Sequence, residues 1–512
     1  MASEKAPRPR ASRNCGNCRA VKRRGPISAQ CDQQIPHCGQ CIRMREKCPG
    51  YRDEWELVFR DQTDKTIKRS KEKRAKRNGS KTSSRTPSPP TPGLGPSLDE
   101  IGVNYFLHNF VINNQTPSRG FFNYIPAVYN AEAEHYTLVT SMAAVGLVAL
   151  ANSNQQPELA RHARIKYSEA IANVNTALAS PVDSVKDSTL MSVISLGVFE
   201  HVSNFQSWVR HVRGAAALVV LRGKSQFTST AATLMFNQVR ADTVITCLHA
   251  NQPFPEDLLA LQGEASKHAD AYSPFWLLGV SATKCVNLLY SVTQNKSKVS
   301  WSEKLEEAII LQEEFRRVFE IISLADPYTT IYEPTADPEV FHEGRFDVYQ
   351  STWAIRVWNN ARCIRMIVSE ILYSILMKVL ATELPSAVRM TLETKYQETV
   401  QIMTSLGEDM LATVPQMLGY VSLVSGQHVS YNLTSTASVP GGYSLIWTLY
   451  MVGKSPVTKR KSRKWVIRRL QDIGRGAGFA MALQLLEGVM KIDQLSEASV
   501  QRSGPYFEPT RL

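Results

Sequence analysis

The chain has 512 residues, of which 43% are hydrophobic and 21% charged, with a formal net charge of +13. That length supports two to four domains with a large buried core, and the composition is that of an ordinary soluble protein. No run of about eighteen uncharged apolar residues stands out, the stretch Tyr443–Val452 being the least polar and too short, so no membrane partner is expected. The N-terminal MASEKAPRPRASRN is basic and lacks an apolar core, which argues against a secretory signal. The basic excess is confined to one end. Residues 1–97 hold 23 Lys+Arg against 9 Asp+Glu, a net of +14, and the remainder hold 36 against 37, a net of −1. That asymmetry suggests a nucleic-acid-binding head on a neutral globular body.

Residues 1–14 are basic, contain two prolines and are expected to be disordered. Residues 15–51 hold six of the nine cysteines: Cys15, Cys18, Cys31, Cys38, Cys41 and Cys48. The second three read C-x2-C-x6-C, and the first three read the same once Gly25–Gln30 are set aside. In a chain with no secretory signal, so dense a group points to metal rather than to disulfides. Six thiolates supply two tetrahedral zinc ions if two sulfurs serve both metals, and metal ligation gives a segment this short its folding energy. A ribbon holding one zinc through Cys15, Cys18, Cys38 and Cys41 is the alternative arrangement, with Cys31 and Cys48 spare. The run Arg19–Arg24 between the cysteines has cations and small residues but no core, a helix suited to presenting charge to phosphates and base edges.

The spacing, with Arg19 after the second cysteine, Lys22 within the helix, Asp32 after the third cysteine and Pro36 before the fourth, resembles the fungal binuclear zinc-cluster transcription factors. The resemblance implies two zinc ions bridged by Cys15 and Cys38. It also implies double-stranded DNA as partner, with Lys22 reading the base edges of a CGG-like triplet and Arg19, Arg23 and Arg24 on phosphate. Cation recognition of guanine O6 and N7 fits the major-groove code, while phosphate contacts add affinity without sequence information. Val21 stands where that family often has a basic residue. The Gly25–Gln30 insertion is the larger departure. Lengthening the connection costs only about 0.5 kcal/mol in loop closure, but Gly25-Pro26 ends the helix early. A splicing or gene-model origin would account for it, since a CAG codon for Gln30 is the sequence with which an intron ends.

Residues 52–97 form a basic, Pro/Ser-rich linker. Within it 53–77 has helical character, yet Trp55, Leu57, Val58, Phe59 and Ile67 keep no heptad spacing, so a coiled-coil dimer arm is not expected. Lys65–Arg77 reads as a nuclear-import signal. From Leu98 the pattern turns helical. Pro157 suits a first helical position, with Ala163, Tyr167, Ala170, Ile171, Val174 and Leu178 on one face until Ser180-Pro181. Leu305, Ala308, Ile309, Phe315, Phe319 and Ile322 make a second stripe, and Trp208, Val212, Ala215 and Val219 a third. The fold class expected is mainly α: a small N-terminal binuclear zinc cluster, a flexible basic linker, and a large all-α C-terminal domain over 98–512.

That body resembles the helical regulatory region that follows the cluster in many such factors, through Trp208–Gly223 (H-x-x-G-A-x-x-L-x-x-x-R-G) and Arg468–Leu483. Gly214 suits a close helix approach, Gly223 a helix cap, and His211 a hydrogen-bonded helix position. Lys459–Lys464 reads as an exposed helix end. No catalytic residues are expected, since no phosphate loop, H-E-x-x-H or G-x-S-x-G is present. Cys247, Cys285 and Cys363 read as core thiols, and His249 does not face Cys247. The function expected is a nuclear, sequence-specific regulator of RNA polymerase II transcription. The alternative is a zinc-dependent nuclear interaction protein whose DNA reader the insertion disables. Monomeric binding and a homodimer formed through the body are both compatible with the sequence, which identifies neither a partner in the transcription machinery nor a regulatory ligand.

Overall fold

The computed structural model describes residues 14–18, 31–32, 34, 37–49, 96–111, 122, 124–131, 136–203, 205–268, 273–294, 300–424, 428–431, 439–476 and 479–500. Arg19, Lys22, Arg23, Arg24, the inserted Gly25–Gln30, the 53–77 segment and its basic run lie outside these residues. The chain divides into two compact units, 1–93 and 94–512.

The first unit is built around sulfur. Its described elements are a helical turn at residues 16–18 and the five-residue helix α1, Gly39–Arg43. Buried there are the six cysteines and no other large apolar side chain among the described residues, while Ile42 and Met44 stay exposed.

The second unit is mainly helical, as its periodicity predicts. Its first half contains α2 (Leu98–Phe110), α3 (Ile125–Ala131), α4 (Tyr136–Ser153), α5 (Pro157–Leu178), α6 (Asp187–Ser203), α7 (Phe205–Arg222) and α8 (Thr230–Ala250). Helix α2 starts in a capping box: Glu100 N–H donates to Ser97 Oγ, and Ser97 N–H donates to the Glu100 carboxylate. Helix α5 begins with Pro157 at its first turn and ends at Leu178, just before Ser180-Pro181.

Helix α4 packs on α2, α5 and α6 and is buried on nearly every side. Its sequence, Tyr136–Ser153, overturns the expectations that no uncharged apolar run of about eighteen residues is present and that Tyr443–Val452 is the least polar stretch. Tyr136–Ser153 and the later Pro274–Thr293 are both long and apolar enough to cross a membrane by length and composition. Instead, about two thirds of the first and half of the second is buried inside the helical unit. The α2–α4 crossing is close because both partners are glycine: a Cβ on Gly146 would stand 1.8 Å from the Gly102 carbonyl oxygen. Gly214 needs no such allowance, since a Cβ there would meet only Val193 at 3.9 Å, so the expected close approach at Gly214 does not occur. Gly223 has φ +62°, the left-handed conformation expected of it after α7.

The second half adds α9 (Glu256–Ala265), α10 (Pro274–Thr293), α11 (Trp301–Ala325), α12 (Thr352–Leu380), α13 (Ser386–Ala412), α14 (Val414–Met417), α15 (Val439–Lys454), α16 (Arg460–Gly476) and α17 (Ala480–Val500). Helix α12, about 44 Å long for its 29 residues, packs against α10, α11, α13 and α15, while α17 returns to α6 and α15 touches α2. The expected stripe on α11 faces the core through Ala308, Phe315 and Ile322.

Two antiparallel hairpins supplement the helices: β1 (Tyr328–Tyr332) with β2 (Arg345–Tyr349), and β3 (Val421–Val424) with β4 (His428–Tyr431). They share a small apolar cluster of Val340, Phe341, Phe346, Val348 and Val421. Arg362 of α12 ties the first hairpin down, donating to Tyr349 Oη at 2.9 Å beneath the rings of Trp358 and Tyr328. The basic start of α16 is only partly the exposed end that was expected. Lys459, Lys461 and Lys464 face solvent, but Arg463 is buried and donates to the Gly453 and Ser455 carbonyls at 2.9 and 3.1 Å, closing the end of α15.

Candidate metal centre

Each C-x2-C step turns its chain so that two sulfurs face inward. Cys38 caps α1, its Sγ accepting from Cys41 N–H at 3.3 Å. Asp32 holds the same turn, accepting from Gly39 N–H at 2.9 and 3.0 Å through its two carboxylate oxygens. Asn17 joins the two halves by donating to the Glu46 carboxylate and the Lys47 carbonyl, each at 3.2 Å. Cys31 reaches the cluster although the six extra residues precede it, and its Sγ accepts from Cys15 N–H at 3.5 Å.

The six sulfurs form two groups of four: Cys15, Cys18, Cys31, Cys38, and Cys15, Cys38, Cys41, Cys48, with every sulfur in a group within 4.8 Å of the others. Cys15 and Cys38 belong to both. The four cysteines of the ribbon arrangement do not make one group. Sulfur–sulfur separations are 3.6 Å for Cys15–Cys38, 3.7 Å for Cys15–Cys41 and 3.8 Å for Cys18–Cys38. A disulfide would require about 2.05 Å, and all six are free thiols. A tetrahedron of sulfurs about 2.3 Å from a central zinc has edges of about 3.8 Å, so the observed spacing fits such a centre. Cys15 and Cys38 are 0% exposed and the other four at most 8%.

The electrostatics call for a cation. Burial pushes the Cys41 thiol up to about 12 and raises Cys15 and Cys18 as well, whereas the Cys41 N–H holds Cys38 down at about 6. Packed this closely, the sulfurs cannot all carry charge unless a metal neutralises them. The cluster can hold metal ions and suits zinc.

In the helical body, His211 meets the Tyr167 hydroxyl at 2.9 Å, and Tyr167 Oη also donates to Glu200 at 2.5 Å. His211 is therefore a hydrogen-bonded strut between α5, α6 and α7. Arg222 of the same sequence stretch pairs with Asp187 at the start of α6. Cys247 and Cys285 are buried, and Cys363 is half-buried against Met410. Sequence reasoning passed over a cavity of ≈ 170 Å³ lined by α8, α10, α12 and α15, whose wall includes Arg240. The available signal was one arginine inside the apolar stretch of α8.

Residues 103–250, spanning most of α2 through α8, match the family described as the fungal specific transcription factor domain. No curated protein and no solved structure matches the chain. A large helical domain with a fungal transcription factor match, preceded by a cysteine cluster fit for metal, supports a role in transcription regulation.

Proposed function

We propose that the protein is a nuclear, sequence-specific DNA-binding regulator of RNA polymerase II transcription, with two zinc ions organising its N-terminal reader. The observation that carries this reading is the pair of four-sulfur groups sharing Cys15 and Cys38, with a basic run between Cys18 and Cys31. Zinc here is structural: thiolates fill all four positions about each ion and leave none open for a substrate. In this reading Cys15, Cys18, Cys31, Cys38, Cys41 and Cys48 are the ligands. Lys22 reads guanine in a CGG-like triplet, and Arg19, Arg23 and Arg24 hold phosphate. Domain boundaries follow as cluster 15–51, linker 52–97 and regulatory body 98–512. The domain match at 103–250 favours a regulator over an enzyme.

The geometry of Cys31 bears on the insertion. That sulfur joins its group with Gly25–Gln30 present, which favours an intact metal centre in the chain as written. The second reading, a zinc-dependent interaction protein with a disabled reader, then requires a displaced basic helix rather than a broken cluster.

The test is titration of the full chain against CGG-containing and scrambled duplexes at several salt concentrations. Specific binding should weaken steeply with salt. Lys22→Ala should cost about 1–3 kcal/mol on the CGG duplex and much less on the scrambled one. Equal loss on both duplexes refutes Lys22 as a base reader, and equal affinity of the parent chain for both supports the second reading.

A further inference from the structure

Helix α8 sends one cation into the core. Arg240 is 2% exposed. Its Nη1 donates to Gln262 Oε1 at 3.1 Å, and its guanidinium carbon lies 4.3 Å from the Trp276 ring centroid. Among the described residues no carboxylate pairs with it. The guanidinium has its seat because residue 279 is glycine, where a Cβ would stand 2.1 Å from Arg240 Nη2. A neutral hydrogen bond and an aromatic face compensate a buried cation only in part.

Arg240 and Gly279 both line the ≈ 170 Å³ cavity, whose walls are otherwise largely apolar, with Val244, Ile245, Leu278, Ile367 and Met451 among them. The remaining charged wall groups are Asp242 and Arg356. These two interact electrostatically, and Asp242 also accepts from Gln238 at 2.9 Å. Two histidines line the wall, and burial holds both below the ordinary histidine range, so neither offsets or adds charge at neutral pH. Asn237, also on the wall, has a buried amide oxygen with no hydrogen-bond partner. The cavity thus offers an apolar volume, one uncompensated cation and an unsatisfied amide.

We propose that this cavity binds a small apolar monocarboxylate, with its carboxylate at Arg240 and its hydrocarbon against the α10, α12 and α15 wall. Volume sets the size class. A dry cavity of about 150 Å³ takes one benzene, so ≈ 170 Å³ suits one ring or branched chain bearing one carboxyl group. The site lies in the helical unit, so it stands or falls separately from the metal centre and from DNA binding.

The test is calorimetric titration of the full chain with benzoate, benzamide and acetate, alongside thermal unfolding. Benzoate should bind saturably at one site per chain and raise the melting temperature. Benzamide, which lacks the charge, and acetate, which lacks the ring, should each bind at least tenfold more weakly. Arg240→Met should melt no lower than the parent in the absence of ligand, because it removes an unpaired buried charge, and should lose at least tenfold in benzoate affinity. No saturable benzoate binding overturns the proposal, as does a benzamide or acetate response equal to that of benzoate in the parent chain. Those comparisons need no variant. Unchanged benzoate affinity in a folded Arg240→Met protein overturns it equally.

Discussion

Cys15 and Cys18 sit three residues apart and are both buried, yet their loss should have unequal consequences. The Cys15 sulfur belongs to both four-sulfur groups and the Cys18 sulfur to one. Cys18→Ser leaves Cys15, Cys38, Cys41 and Cys48 as a complete tetrahedron and reduces the other group to three. Cys15→Ser reduces both groups to three. Structural zinc sites in small peptides bind with about 10–16 kcal/mol at neutral pH, or about 2.5–4 kcal/mol per sulfur. One missing sulfur should therefore weaken an ion by roughly 10²- to 10³-fold. Native mass spectrometry of the full chain under a graded chelator challenge reads this directly. The parent should carry two zinc ions. Cys18→Ser should keep one ion at a chelator level that removes the other, and Cys15→Ser should lose both at that level. Acidification should mimic the shared-ligand loss, because the ligands must be thiolates and affinity falls as pH falls. If both variants lose the same single ion, Cys15 is not shared and the two-group reading of the cluster is wrong. A parent chain that binds only one zinc refutes it as well.

The two helical glycines give opposite predictions for one substitution. Gly146→Ala should destabilise by about 1–3 kcal/mol, because its Cβ would overlap the Gly102 backbone, which cannot rotate away. Gly214→Ala has open space and should stabilise by roughly 0.5–1 kcal/mol through helix propensity. Urea denaturation measures both, and a stabilising Gly146→Ala would contradict the α2–α4 crossing. Asp242 makes a prediction about pH. Burial raises its carboxyl to about 6, against hydrogen bonds from Gln238 and the charge of Arg356, with Tyr124 and Tyr443 also within electrostatic reach. The folded state therefore holds a proton that the unfolded chain releases near pH 4. The stabilisation is complete below about pH 4 and is lost as pH rises toward 6, by up to about 3 kcal/mol. Asp242→Asn should flatten the stability profile between pH 4 and 6, and parallel profiles for parent and variant would show that the group does not titrate there.

Two kinds of information were legible in the residues themselves. Cysteine spacing announces a cluster able to hold metal, because thiols a few residues apart are held together by the local chain. Helices such as α5 and α11 are legible because a 3.6-residue period, a first-turn proline or a serine cap acts within a single turn. The hairpins were harder to read: β1 and β2 have five residues each, and what holds them is Arg362 and a shared apolar cluster assembled from distant segments. Helix α4, eighteen uncharged and mostly apolar residues, was legible in the sequence but passed over for Tyr443–Val452, and only the fold shows which helices cover it. The tertiary structure alone decides that Gly102 meets Gly146 while Gly214 meets almost nothing, and that Arg240 settles over Gly279 on a cavity wall, paired with no carboxylate among the described residues. Each of these is a relation between positions far apart in the chain, set by packing of whole helices, and no local pattern of residue types encodes it.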